Sequence, residues 1–172
     1  MKQQITIRKL CLTDLDIFYS LFSTLVNSQF SEYTTFVKKF MLTSKKAWNR
    51  NVYKTRLTRK NRLILGAFVN KELVGILEAT HPEFGVSFCS WLMVEPNMHK
   101  KGVGKKLIQN WEEIMKKKGV HSLYLNADNR NLEYYKKLGF TLVGIYKKAW
   151  FGLDTLYFAK QIQEPRAANY LK

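Results

Sequence analysis

The residues best suited to chemistry lie where an apolar run meets a basic helical stretch. The junction reads Val94-Glu-Pro-Asn-Met-His-Lys-Lys-Gly-Val-Gly-Lys105. A Gly-x-Gly turn at a helix start exposes main-chain N–H groups at the positive end of the helix dipole, and the lysines add positive charge. Such a junction is suited to bind a diphosphate. The dinucleotide fingerprint needs a third glycine where this chain has Leu107, so that fingerprint is absent.

The histidines and cysteines indicate little chemistry of their own. His81, His99 and His121 are not at the spacing of metal ligands, so no metal is expected. Cys11 and Cys89 are too few for a disulfide framework, and we expect two buried thiols in a reduced, cytoplasmic protein. No apolar run approaches the roughly 20 residues that span a bilayer, and the first residues lack the apolar core of a signal peptide.

Hydrophobic periodicity predicts the elements that position this junction. Short apolar or alternating runs predict strands at 5–10, 63–69, 73–79, 86–94, 122–126, 140–146 and 155–159. Apolar residues at helical spacing predict a helix starting near Thr13, one after Gly104 and a short one over 131–138. A further helical stretch is predicted from Ser31 through a basic continuation to Arg62, with Phe36, Val37, Phe40 and Met41 on one face.

The order of these elements predicts the fold class. A strand, a helix and a strand between Val86 and Asn126 imply a parallel pair with a right-handed crossover. The hairpins on either side imply antiparallel neighbours. We therefore expect an α/β fold, a single-domain, mostly antiparallel mixed sheet with a central parallel strand pair and flanking helices. The domain is expected over residues 1–162, with a C-terminal tail over 163–172.

Composition limits the function classes. A chain of 172 residues with 46% hydrophobic content can bury a full core, which argues against a disordered protein. The formal net charge of +16 favours anionic partners, such as phosphorylated cofactors, nucleic acid or acidic polypeptides. The same charge weighs against a strongly cationic acceptor such as a polyamine or an aminoglycoside.

Three motifs in fixed order resemble a known enzyme family. Val94-x-Pro96 is followed by His99-Lys-Lys-Gly102-Val-Gly104 at a helix start, and then by Tyr135-Lys-Lys-Leu-Gly-Phe140. This series resembles the GNAT superfamily of acetyl-CoA-dependent N-acetyltransferases. The chain departs from the family pattern at His99, where Arg or Gln is usual, and at Asp128, where Asn is usual.

The resemblance implies how acetyl-CoA is held. The main chain of Leu92, Met93 and Val94 would pair with the pantetheine arm, and one of its N–H groups would polarise the acetyl carbonyl. The N–H groups from Lys101 to Lys105 would hold the diphosphate, and Asn129 or Asn131 would contact the pantetheine. The implied cofactor-binding residues are Leu92, Met93, Val94, His99, Lys100, Lys101, Gly102, Val103, Gly104, Lys105, Asn129, Asn131 and Tyr135.

Acetyl transfer to an amine also needs a proton donor and a way to deprotonate the nucleophile. The resemblance implies that Tyr135 lies near the thioester sulfur and protonates the departing thiolate. Glu78 and Glu83 are the predicted candidates for a general base, with His81 and Asp154 as alternatives. A water chain or an amine that arrives neutral would make a dedicated base unnecessary.

The predicted function is therefore direct transfer of an acetyl group from acetyl-CoA to a primary amine, in a small molecule, a protein N-terminus or a lysine. Residues 31–62 would line the acceptor site. The alternatives are a non-catalytic acetyl-CoA sensor and a basic module that binds nucleic acid or the ribosome. The protein is expected to be a monomer or a homodimer without a membrane partner.

Overall fold

Seven strands form one mixed sheet in the computed structural model, which describes residues 4–45, 48–59, 62–166 and 168. They are β1 (Ile5–Lys9), β2 (Arg62–Val69), β3 (Glu72–Thr80), β4 (Val86–Val94), β5 (Ser122–Ala127), β6 (Thr141–Tyr146) and β7 (Thr155–Gln161). Their order is β1-β2-β3-β4-β5-β7-β6. β4 and β5 are parallel, whereas β1–β2, β5–β7 and β6–β7 are antiparallel. The predicted fold class is confirmed.

The helices of the described residues are α1 (Leu15–Gln29), α2 (Thr35–Thr43), α3 (Arg50–Arg59), α4 (Val103–Lys117) and α5 (Leu132–Lys137). In α4, the predicted apolar stripe is buried at Leu107, Ile108, Trp111 and Met115. This helix ends before Gly119, whose φ of 79° is readily adopted only without a side chain. None of the helices within the described ranges is long and apolar enough to cross a bilayer.

The predicted helical stretch from Ser31 to Arg62 is two helices. α2 begins at Thr34, whose hydroxyl accepts a hydrogen bond from Val37 N at 3.3 Å, and it ends where Ser44 becomes extended. The side chain of Asn49 accepts from Val52 N at 3.0 Å at the start of α3. The extended residue Ser44 and the cap at Asn49 therefore divide the stretch. Two lysines of the basic continuation to Arg62, Lys46 and Lys60, lie outside the described residues.

One sequence prediction about burial is wrong, and it concerns a cysteine. On α2, Phe36 and Phe40 are 79% and 45% exposed, and only Met41 of the predicted apolar face is fully buried. Cys89 is buried as expected, but Cys11 is exposed. Cys11 precedes the single turn that leads into α1, and its main-chain N–H donates to the Asp14 carboxylate at 2.9 Å. A residue at a helix entry is placed by this capping rather than by its apolar character.

The chain divides into two compact units. The first consists of Met1–Glu78 and Trp91–Ile108, and the second of Ala79–Ser90 and Gln109–Lys172. Phe18, Phe22, Tyr53 and Ile76 are fully buried in the first unit. In the second, the indole of the buried Trp111 donates to Ser87 Oγ at 3.1 Å. The domain over 1–162 with a tail over 163–172 stays a prediction; Gln163 donates to Val120 O at 2.6 Å.

Candidate active site

The segment after β4 has the backbone of an anion-binding loop. Pro96 begins a short 3-10 turn, and the buried Met98 anchors this turn in the first unit. Lys100 and Gly102 have φ of 59° and 85°, on either side of Lys101. Alternation of left-handed and right-handed residues turns successive N–H groups towards the same side, which creates a concave site for an anion.

Helix α4 continues this array of donors. Its first hydrogen bond runs from Lys106 N to Gly102 O at 3.0 Å. The N–H groups of Val103, Gly104 and Lys105 therefore have no acceptor within the helix. A Cβ atom placed on Gly102 would meet nothing within 4 Å, so the space beside the turn is open. Since the side chains of Lys100, Lys101 and Lys105 are exposed around it, the loop fits a diphosphate.

A glycine on β3 allows α4 to begin this close to the sheet. A Cβ atom on Gly75 would lie 3.0 Å from Val103 Cγ1 and 3.3 Å from Met93 O. Val103, the first residue of α4, is buried against this glycine. The positions of β3, β4 and the helix N-terminus are thus coupled within the first unit, and a side chain at Gly75 would require its neighbour Val103 to shift by a few tenths of an ångström.

The carbonyl of Val94 holds the two ends of the loop together. It accepts a hydrogen bond from Gln29 Nε2 at 2.6 Å and one from the His99 ring at 2.8 Å. The side chain at the position where the family usually has Arg or Gln is therefore turned back towards β4. This contact gives His99 a role in loop geometry, while its direct contact with a cofactor stays a prediction.

The second half of β4 carries the predicted pantetheine-binding residues. The registered parallel pairs with β5 run from Val86–Ser122 to Cys89–Leu125. The strand continues past the last of these pairs to Val94, with Met93 buried and Leu92 half-buried. This geometry is compatible with the predicted main-chain role of Leu92, Met93 and Val94.

Tyr135 lies on α5 in an apolar part of the second unit. The residue is 7% exposed, and its ring contacts the rings of Phe140 at 5.9 Å and Phe158 at 5.3 Å. Burial, reinforced by the nearby Cys89 thiol, raises the pKa of Tyr135 well above its ordinary value of 10. The phenol therefore keeps its proton at neutral pH, as a proton donor must.

The loop before α5 explains the departure at Asp128. The Asp128 carboxylate accepts from Arg130 N at 2.9 Å and from Asn131 Nδ2 at 3.1 Å, and so caps the short 3-10 turn that follows. Asp and Asn are both good capping residues, so either can start this turn. Asn129 is exposed, whereas the half-buried Asn131 is held by Asp128.

Glu78 is bound into a buried polar cluster of the first unit. The residue is 1% exposed, and its two oxygens accept from Tyr53 Oη at 2.9 Å and Arg56 Nη1 at 2.7 Å. Burial raises the pKa of this carboxyl, although Arg56 and Tyr53 oppose the shift. Sequence reasoning did not identify these two partners. Their spacing of three residues on α3, which places them on one helix face, is the signal that was present.

Glu83 lies in the tight turn before β4. Its main chain exchanges hydrogen bonds with Val86 at 3.0 Å in each direction, and its side chain is exposed. Six residues separate Val86 from Leu92 along the strand, or about 20 Å at the usual rise. The role of Glu83 as a general base stays a prediction.

Asp154, an alternative base, is committed to local contacts. It accepts from Lys147 Nζ at 2.7 Å and from Lys148 N at 2.9 Å, and these hydrogen bonds lower its pKa. Within the described ranges, no three His, Cys, Asp or Glu side chains lie close enough to hold a metal ion.

Comparison with known proteins identifies the family. The model of the acetyltransferase (GNAT) family matches residues 24–140, more than half of the chain. The chain therefore belongs to this family. The match confirms the predicted class of protein, an acetyltransferase of the GNAT family.

Individual relatives are distant. An uncharacterized N-acetyltransferase of Methanocaldococcus jannaschii is 28% identical over 152 residues, which cover 78% of this chain and 60% of that protein. A glucosamine 6-phosphate N-acetyltransferase of Trypanosoma brucei brucei is 37% identical over 49 residues, 28% of this chain and 33% of that protein. The chain thus spans less than two thirds of the length of either relative.

Solved structures share the fold over almost the whole chain. The PaiA N-acetyltransferase of Thermoplasma acidophilum in complex with coenzyme A aligns with a TM-score of 0.78 at 23% identity, covering 92% of this chain and 99% of that chain. An aminoglycoside 6'-N-acetyltransferase complexed with coenzyme A aligns with a TM-score of 0.71 at 18% identity, covering 94% and 99%. Likeness at this level of identity shows the fold.

Proposed function

We propose that the protein transfers the acetyl group of acetyl-CoA directly to a primary amine, with residues 1–162 as the catalytic domain. The observation that carries this proposal is the donor array at the start of α4. It combines left-handed Lys100 and Gly102, three N–H groups without a helical acceptor and three exposed lysines, within the segment that matches the family.

The proposed binding roles fall on a few residues in each of the two units. In the first unit, the N–H groups from Lys101 to Lys105 bind the diphosphate, and the lysine side chains bind further phosphate oxygens. The main chain of Leu92, Met93 and Val94 pairs with the pantetheine, and His99 keeps the loop closed on Val94. In the second unit, Asn129 and Asn131 contact the pantetheine.

The chemistry needs few protein groups. The amine nitrogen forms a bond to the acetyl carbon, the carbon–sulfur bond breaks, and the amine loses one proton. A main-chain N–H from Leu92–Val94 stabilises charge on the acetyl oxygen. Tyr135 donates its phenolic proton to the departing thiolate and recovers a proton from solvent. Burial raises the pKa of Tyr135, so the phenol is protonated before the thiolate forms.

We further propose that solvent, rather than a carboxylate, removes the proton of the amine. Both oxygens of Glu78 are hydrogen-bonded in a buried cluster. Glu83 lies at the far end of β4 from Leu92, about 20 Å along the strand. A primary amine that binds in its neutral form needs no further base within the protein.

The first test separates an enzyme from the alternatives. Acetyl-CoA at millimolar concentration is expected to raise the melting temperature, because a ligand of the native state stabilises it. Release of free thiol in the presence of amines would then demonstrate transfer. Stabilisation without thiol release across an amine panel would favour an acetyl-CoA sensor, and no stabilisation would contradict the proposed donor site.

A second test addresses the loop. Gly104→Val is expected to weaken acetyl-CoA binding at least about tenfold, because a branched side chain in the first turn of α4 crowds the diphosphate. Gln109→Val is the matched control, since it places the same residue at an exposed position of the same helix. Equal affinity of both variants in calorimetry would argue against the assigned loop.

A further inference from the structure

A group of aromatic side chains reaches the surface of the first unit beside β4. We call Phe22, Phe30, Tyr33, Trp48 and Trp91 the aromatic cluster. The Trp91 ring lies 5.6 Å from Phe22, 5.6 Å from Phe30 and 5.3 Å from Trp48, each in an edge-to-face arrangement. Phe30 and Tyr33 stack at 5.3 Å. Phe22 is fully buried, but the other four are only half-buried and remain accessible to a ligand.

The aromatic cluster adjoins the proposed carbonyl-binding strand. Trp91 directly precedes Leu92, and residues along a strand are spaced by about 3.3 Å. An attacking amine has to approach the acetyl carbon to about 3 Å. Carbon atoms a few bonds from the amine nitrogen are therefore within reach of the Trp91 ring, if Leu92–Val94 bind the acetyl group as proposed.

The polar side chains next to the aromatic cluster carry more positive than negative charge. The ring of Tyr53 lies 5.0 Å from that of Phe22, and its hydroxyl donates to Glu78. Glu78 is ion-paired with Arg56 at 2.7 Å, and the charge of Arg62 also acts on this carboxylate. Two guanidinium groups thus face one carboxylate. A second ammonium group on a substrate would be repelled here.

We propose that the acceptor is a monoamine whose substituent is aromatic or long and apolar, and that it binds against the aromatic cluster at Trp91. This proposal rests on the proposed acetyl transfer and names the substrate class for it. Aromatic rings offer a large apolar surface to such a substituent. The positive charge near Glu78 selects against diamines and polycations.

The test uses amines in matched pairs at one pH. Hexylamine and hexamethylenediamine differ by a second ammonium group, and phenethylamine and ethanolamine differ by the aromatic ring. We expect kcat/KM to be at least about tenfold higher for the first member of each pair. A difference of this size is usual when a substrate in an apolar pocket lacks several carbon atoms or brings in an unpaired charge. Thermal stabilisation by acetyl-CoA is measured in parallel.

Variants locate the preference at Trp91. Trp91→Leu should lower kcat/KM for phenethylamine about tenfold, with unchanged stabilisation by acetyl-CoA, and Trp91→Phe should restore most of the activity. Trp150→Leu, the same substitution at an exposed tryptophan that has no role in the proposed site, is the matched control and should change nothing.

Three results would overturn this proposal: diamines that react as fast as monoamines, a preference that survives Trp91→Leu, or rejection of the whole panel by protein that binds acetyl-CoA. Absence of acetyl-CoA binding would instead refute the proposed function, on which the acceptor class depends.

Discussion

Two buried tyrosines, one in each unit, have similar surroundings but different partners. Burial raises the pKa of both Tyr53 and Tyr135 well above the ordinary value of 10, because a phenolate is costly in apolar surroundings. The hydroxyl of Tyr53 donates to Glu78 at 2.9 Å. Tyr135 is enclosed by the rings of Phe140 and Phe158, with the thiol of Cys89 nearby.

The difference shows that a shifted pKa does not by itself identify a catalytic group. The proton of Tyr53 is committed to a carboxylate that also binds Arg56, so this cluster joins α3 to β3. Tyr135 is instead surrounded by neighbouring rings and a thiol. In such surroundings its phenolic proton is available for a substrate. A buried network of the first kind contributes to stability, and we propose that a group of the second kind contributes to turnover.

The largest expected effect is on turnover at Tyr135. Tyr135→Phe should lower kcat about 100-fold, because the departing thiolate loses its proton donor. The affinity for acetyl-CoA and the free energy of unfolding should change little, since the ring packing is retained. Steady-state kinetics, calorimetry and urea unfolding would measure the three quantities.

The neighbouring Tyr134→Phe is the matched control for this variant. Tyr134 is 37% exposed, and burial raises its pKa to about 12. This substitution should leave kcat unchanged. A parallel loss of kcat and of acetyl-CoA affinity in Tyr135→Phe would contradict a role in proton donation.

Glu78→Gln should affect stability rather than turnover. The variant leaves the Arg56 guanidinium without its counter-charge, so we expect the free energy of unfolding to fall by about 2 kcal/mol. Glu83→Gln, at an exposed position, should stay within about 0.5 kcal/mol of the wild type. A large loss of kcat in either variant, with unchanged stability, would identify that residue as the general base.

Tyr53→Phe should have a smaller effect of the same kind. It removes one of the two hydrogen bonds to the Glu78 carboxylate, which we expect to cost about 1 kcal/mol in urea unfolding. Turnover per folded molecule should not change. If Tyr53→Phe lowered kcat as strongly as Tyr135→Phe, the distinction between the two tyrosines would be lost.

The smallest effect concerns the pH dependence of stability. Burial raises the pKa of Glu78 in the folded protein above its ordinary value of 4.5. The folded state therefore binds more protons than the unfolded state just above pH 4.5, and this residue's contribution to stability declines as the pH rises through that window. The decline should be absent in Glu78→Gln. Urea midpoints of both proteins between pH 4.5 and 7 would test this, and identical slopes would contradict it.

Much of the fold was predictable because its signals are local. All seven strands and helix α4 occur where alternation and helical spacing placed them. The division of the stretch from Ser31 to Arg62 into α2 and α3 was missed, although the capping residue Asn49 was visible. A helical pattern of polar residues does not show where one helix ends. The sequence alone does not show whether a residue that can cap a helix does so or lies inside a longer helix.

The surroundings of the candidate site were less predictable. Glu78 was chosen for its carboxylate, but its partners come from α3, more than twenty residues away in sequence. Glu83 was chosen for the same reason, and the turn before β4 places it far along the strand from Leu92. Sequence spacing cannot reveal a pairing such as that of Glu78 when the contacting elements are not adjacent in the chain.

The sequence by itself determined the family and the proposed donor-binding loop, because both depend on residues close together in the chain. A strand end, Pro96, two glycines and a helix start place the array of N–H groups within one short segment. The tertiary structure alone decided that Tyr53 and Arg56 engage Glu78, that His99 closes the loop on Val94, and that the aromatic cluster gathers at Trp91. Those arrangements depend on long-range packing, because each side chain's environment is formed by elements distant in sequence.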